Sequence, residues 1–168
     1  PVPSLLRGFS APVVLEHDYS DAQLLTLLAH DPDPFNRWEA GQRLALKRAL
    51  HFIQSHAHPA ESKVLDAAFV TAMRSVLRHP LLDAAFKELV LTLPAETYIA
   101  EQLDSVDPQR VHAVRESMRL QLAVQLHADW EWAFAAHQDN AAYRPDPVSA
   151  APRPPADLAP RLFCLAST

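Results

Sequence analysis

Apolar residues recur at three- and four-residue spacing along most of this chain, and prolines fall between the apolar stretches. That spacing puts the apolar side chains on one face of an α-helix. Ser20-Asp21-Ala22-Gln23 has the Ser-x-x-Gln form of a capping box, in which the Ser20 hydroxyl accepts the Gln23 N–H. It predicts a short helix over about 20–30 that buries Leu24, Leu25, Leu27 and Leu28. Asp33 before Pro34 predicts a second start, because a missing N–H does no harm in the first helical turn. This helix should run to about 56, with Trp38, Gly41, Ala45, Ala49 and Phe52 sharing a face. Gly41 inside it costs roughly 1 kcal/mol against alanine, and close helix–helix packing is the simplest reason to keep it.

A third helix is predicted over about 61–78, burying Leu65, Phe69, Ala72, Met73 and Val76, and His79-Pro80 ends it. A fourth, over about 81–93, carries Leu82, Ala85, Phe86, Leu89 and Leu93. A fifth is short, over about 95–103. Asp107-Pro108 repeats the cap-plus-proline start, and one long helix should follow to about 137. Its stripe is Val111, Val114, Met118, Leu122, Leu126, Trp130 and Phe134. At 1.5 Å per residue it would be roughly 45 Å long.

The two ends differ. Residues 11–16 alternate as a β-strand, with Val13 and Leu15 on one side, Val14 on the other, and Pro12 at a strand start or edge. No second strand follows for it to pair with. From Tyr143 onward, prolines at 145, 147, 152, 154, 155 and 160 predict an irregular tail, with one apolar turn at Leu162-Phe163-Cys164-Leu165. The predicted fold is therefore all-α: an irregular α-solenoid (a HEAT/ARM-like helical array) preceded by one orphan β-strand. The chain divides into 1–17, the last strand of a truncated β-sandwich; 18–144, a partial helical domain; and 145–168, the proline-rich tail. The orphan strand and the apolar broken tail lead us to expect a piece of something larger.

Composition narrows the function. The chain has 168 residues, enough for one real core, and its hydrophobic share of 49% is ordinary. A formal charge of -5 argues against a nucleic-acid surface. Two glycines leave little for phosphate-cradling loops. One cysteine forbids an internal disulfide and suits a reducing cytoplasm, and no apolar run is long enough to span a bilayer.

Candidate chemistry is thin. His56-Ala57-His58, with His51 about one turn earlier, is the closest approach to a metal site. Solvated histidines at a helix end explain it better, since a structural zinc wants four ligands. His112 with Glu116 and His127 with Glu131 lie one helical turn apart and read as surface pairs. Cys164, between Phe163 and Leu165, lacks a base partner and reads as an inert buried thiol. Trp38 and Trp130 fall on apolar faces and read as core, while Trp132 lies off its stripe and reads as partly exposed, marking a contact surface. No residue is assigned a catalytic, cofactor-binding or metal-binding role.

Several separated stretches resemble bacterial aminopeptidase N, the alanyl aminopeptidase family of zinc metallo-aminopeptidases. They are Leu5-Leu6-Arg7-x-Phe9-Ser10-Ala11-Pro12-Val13, Asp21-x-Gln23-Leu24, Arg37-Trp38-Glu39-Ala40-x-Gln42, Leu91-Thr92-Leu93-Pro94, Ile99-Ala100-Glu101, and Asp107-Pro108 leading into Val114-Arg115-Glu116. The agreement spans roughly residues 4–144, and the proline-rich tail departs from it. The resemblance implies the end of a β-sandwich running into a C-terminal helical domain. In such enzymes that domain packs over the catalytic domain and restricts the active site to peptides. The family removes N-terminal amino acids with a zinc held by His-Glu-x-x-His and a distant Glu, and a Gly-x-Met-Glu-Asn loop holds the substrate amine. None of those motifs occurs here, so the resemblance implies a non-catalytic piece, with no zinc of its own and no peptidase activity alone. Its implied partners are the catalytic and β-sandwich domains of the parent enzyme, with peptide substrate only in the whole enzyme. The rival reading is a free-standing helical-repeat module that binds a protein partner; a helical enzyme with an unrecognised site is a weaker third.

Overall fold

Helix starts are set by side chains of the chain itself. The computed structural model describes residues 2–5, 7, 18–55, 57–59 and 62–137. Within them lie α1 (Asp21–His30), α2 (Pro34–Gln54), α3 (Ala67–Leu77), α4 (Ala84–Leu91), α5 (Glu96–Ala100), α6 (Pro108–Gln125) and α7 (His127–His137), with no strand among the described residues. The Ser20 box forms as read: the Gln23 N–H donates to Ser20 Oγ at 3.3 Å and the Ser20 N–H to Gln23 Oε1 at 2.9 Å. Asp33 and Asp107 cap α2 and α6, each with proline in the first turn. Two further aspartates were not foreseen as caps. Asp66 accepts the Phe69 N–H at 2.8 Å and Asp83 the Phe86 N–H at 2.8 Å, so α3 and α4 begin at 67 and 84, later than the apolar pattern suggests.

The open carbonyls at the ends of α1 and α2 are capped by arginines from other helices. A glycine after the last turn is a common stop, but this chain has only two. Arg37 of α2 donates through Nε and Nη2 to the Asp31 carbonyl just past α1, at 3.1 and 2.8 Å. Arg110 of α6 reaches the Phe52, Ile53 and Ala57 carbonyls at the end of α2, at 2.9, 2.9 and 3.0 Å. Each guanidinium satisfies carbonyls that the helix leaves open and places positive charge at the negative end of its dipole.

The single long helix expected over 108–137 is two. Leu126, at φ -107° and ψ 12°, separates α6 from α7. No proline or glycine lies there. Instead Arg74 of α3 donates to the Gln125 carbonyl at 3.0 Å, and the Asp129 N–H turns to the Leu126 carbonyl at 2.9 Å. A side chain has entered the backbone ladder, one of the recognised causes of a helix break. Arg74 and Arg78 also clamp the Asp129 carboxylate, at 2.8 and 2.7 Å, fixing the new turn. The apolar stripe survives the break: Val111, Val114, Met118, Leu122, Leu126 and Trp130 are all buried.

α2 is the hub, with α1, α4, α5 and α6 all against it. Its small residues let them approach: a Cβ on Gly41 would stand 3.3 Å from Leu28 Cδ1, 3.7 Å from Met73 Cε and 3.8 Å from Val90 Cγ1. The close packing expected at Gly41 is what holds α1, α3 and α4 around α2. Of the stripe read for α4, Leu82, Phe86 and Leu93 pack on the core, but two positions do not. Leu89 faces out and Ala85 is exposed, while Lys87, Val90 and Leu91 are buried. Apolar residues sit on every side of this short helix, so periodicity alone did not select a face. The strand expected over 11–16 and the tail over 145–168 lie outside the described residues. Of the N-terminal stretch, Val2 and Leu5 pack against the core, and the Tyr19 hydroxyl donates to the Pro3 carbonyl at 2.9 Å.

Candidate functional site

A groove of about 730 Å³ lies between α2 and the segment joining α4 to α5. Phe35, Trp38, Glu39, Gln42, Arg43 and Leu46 form one wall. Leu89, Thr92, Leu93, Pro94, Ala95 and Tyr98 form the other. The linker is held rigidly at both ends. Gln42 Nε2 donates to the Thr92 carbonyl at 2.7 Å, and Arg115 Nε donates to the Pro94 carbonyl at 2.8 Å. Stretches far apart in sequence thus meet here: the one around Trp38, Leu91-Thr92-Leu93-Pro94, and the one around Arg115.

Trp38 packs against the core as expected, but only in part. Its ring is only partly buried and lines the groove, 5.7 Å from the Phe35 ring at a tilted angle. α2 carries it on the core stripe, but at the helix's first turns, where the linker after α4 replaces a packed helix as its neighbour. Leu89 and Tyr98 are 51% and 48% exposed opposite it. At the rim, Glu39 and Arg43 pair one helical turn apart at 3.9 Å. The groove is thus apolar inside with balanced charge at its edge. It contains no nucleophile beside a base.

A second hollow, of about 560 Å³, is lined by polar groups that include Asp21, Arg48, His51, Lys63 and Asp66. Its carboxylates are already engaged. Arg48 bonds Asp21 and, at 2.6 Å, Asp66, and that hydrogen bond is the main reason the Asp21 carboxyl titrates below its ordinary range. The arrangement ties α1, α2 and the start of α3 together.

His51 is exposed, and His56 of the closest pair lies outside the described residues. Among the described residues there is no group of three or more His, Cys, Asp or Glu side chains that could hold a metal ion. His112 does not pair with Glu116 as read; its Nδ1 lies 2.9 Å from Glu96 Oε1 on α5, and Arg119 engages Glu116 instead. Tertiary proximity overrides the one-turn spacing there. His127 and Glu131 do pair, at 3.9 Å. Cys164 lies outside the described residues. Trp130 is core, 3% exposed, and Trp132 is 40% exposed, as read, with the Arg78 guanidinium 4.6 Å above its ring.

Sequence reasoning missed one cationic cluster. Lys87 is buried near Trp132, and burial pushes its ammonium below the usual lysine range, with Asp83 opposing. Burial, then the charges of Arg37 and Lys87, hold the His79 imidazole below its ordinary range. His79 Nδ1 accepts the Leu81 N–H at 3.2 Å, which suits the neutral ring. Among the described residues no helix is long and apolar enough to cross a membrane.

Comparison with known proteins gives this geometry its setting. A family model described as a domain of unknown function (DUF3458_C) with ARM repeats matches residues 21–167. Aminopeptidase N of Caulobacter vibrioides is 40% identical over 126 residues, covering 75% of this chain and 14% of that protein. Aminopeptidase N of Haemophilus influenzae is 39% identical over 134 residues, 77% of this chain and 15% of that protein. The chain therefore spans about one seventh of the length of these curated relatives. Among solved structures, a crystal structure of Legionella pneumophila aminopeptidase A in complex with aspartic acid superimposes with a TM-score of 0.69 at 26% identity, covering 99% of this chain and 19% of that one. The family match over 21–167 makes this chain a member of the DUF3458_C ARM-repeat family, corresponding to a section of aminopeptidase N.

Proposed function

We propose that this chain is a non-catalytic section of a zinc-dependent, cytoplasmic aminopeptidase N that removes N-terminal amino acids from peptides. In the whole enzyme its helices wall the active-site chamber. The observation that carries this reading is the run of 37–40% identity to three aminopeptidases N over about three quarters of the chain. The chemistry of the described residues agrees with it. Asp21, Asp66 and Asp129 are each committed to arginine, and the described residues offer no ligand set that fits zinc. The metal belongs to other parts of the parent polypeptide, where it would activate water, and no step is routed through this chain. Its own residues contribute shape: the arginine-capped helices form a stiff surface. The net charge of -5 supports no nucleic-acid partner.

The exposed groove beside Trp38 also suits a free-standing interaction module, so the test must separate the two. The full reading frame containing this segment, expressed and assayed on amino-acid amides, should hydrolyse them and lose activity to a chelator. The 168-residue chain alone should not hydrolyse them. Chelator-sensitive turnover by the chain alone, or an inert full-length product lacking His-Glu-x-x-His, would refute the proposal.

A further inference from the structure

We propose that the groove between α2 and the α4–α5 linker is the seat of an apolar segment from the polypeptide that precedes this section in the longer enzyme. The inference rests on the reading above that such a longer polypeptide exists. Three large side chains, Trp38, Leu89 and Tyr98, face one open hollow of about 730 Å³. That volume accommodates several side chains of a partner. The walls are preformed, because Gln42 and Arg115 tie the linker carbonyls to α2 and α6. A partner meeting a rigid apolar slot loses little entropy in ordering it.

Two observations choose the occupant. The chain spans about one seventh of its relatives' length, so most of the longer polypeptide is available to cover the slot. The N-terminal stretch also runs beside it. Leu5 packs against the core and lines a small hollow together with Glu39 and Arg43, and those same two residues line the groove. Asn36 Nδ2, one residue from Phe35, donates to Ser4 Oγ at 2.8 Å. Chain arriving at residue 2 is thus laid along the neighbouring surface of α2, which brings whatever precedes it to this edge. The paired Glu39–Arg43 rim gives no bias toward a highly charged ligand and suits an apolar segment with polar flanks.

The test uses the full-length polypeptide with p-benzoyl-phenylalanine in place of Tyr98, and a control carrying it in place of Val124, which is 57% exposed on α6. Irradiation and mass spectrometry should recover an intramolecular crosslink from position 98 to a peptide preceding this section, without that link from position 124. Leu89→Asp, at an exposed position, should abolish it. No crosslink, one confined to residues 18–137, one to a second copy, one only to added peptide, or an unchanged yield in Leu89→Asp overturns the proposal. Amide hydrolysis by the same preparations separates the two readings. An inactive protein that still crosslinks removes the aminopeptidase assignment and leaves the groove, whereas an active one that does not crosslink removes the groove alone.

Discussion

At Gly41 a single missing methyl sets how closely α1, α3 and α4 surround α2. Alanine there gains roughly 1 kcal/mol of helix propensity. Its Cβ, however, must fit 3.3 Å from a fully buried Leu28. The two effects oppose each other at similar size, so Gly41→Ala should change stability by less than about 1 kcal/mol in urea unfolding. Gly41→Val adds two more carbons with nowhere to go and should cost about 1–3 kcal/mol. A Gly41→Val protein as stable as the parent would mean the helices have room to part. Gly41 was legible in the sequence because a helix seldom keeps a glycine without a packing reason. Trp38 was not, although it shares the same stripe. Periodicity reports which face a residue occupies, but not whether a helix or a linker lies opposite.

Among the elements, the capped starts at 20, 33 and 107 were legible, and the ends lie within three residues of the expected ones except for the break after Gln125. Ser20, Asp33 and Asp107 carry their own caps and were read correctly. Asp66 and Asp83 were overlooked, though each opens the same tetrapeptide, Asp-Ala-Ala-Phe, with the capped N–H on the phenylalanine. The break at Leu126 was invisible because its cause, Arg74, lies more than fifty residues away. That break supplies a pH test. Burial alone would raise the Asp129 carboxyl, but the hydrogen bonds and charges of Arg74 and Arg78 outweigh it and hold it below the usual range. A depressed carboxyl contributes stability above its unfolded pKa and loses it as pH falls through the folded value. Asp129→Asn should therefore cost about 1–3 kcal/mol at pH 7. The gap to the parent should close as pH drops below about 4. A gap that does not shrink at all as pH falls below about 4 would show that the carboxylate's charge is not what holds the turn.

For the whole molecule, the exposed apolar groups decide behaviour in isolation. Leu81, Leu89, Tyr98, Leu120, Val124 and Trp132 are each at least 40% exposed. Leu120 and Val124 lie one turn apart on α6, on the side turned from α2. The 168-residue chain should bind a hydrophobic dye and self-associate with concentration, read by dye fluorescence and light scattering. A monomer that ignores the dye across the concentration range would count against the surface being built to be covered. The helical class of this array followed from its periodicity. The groove did not, because it arises where three distant stretches meet.

The caps supplied by Arg37, Arg110 and Arg74 carry a further consequence. At the ends of α2 and α6 the open carbonyls are capped by a neighbouring helix, so part of what holds the last turn belongs to the assembled array. Excised as a peptide, α2 would carry its start with it and leave part of its finish behind.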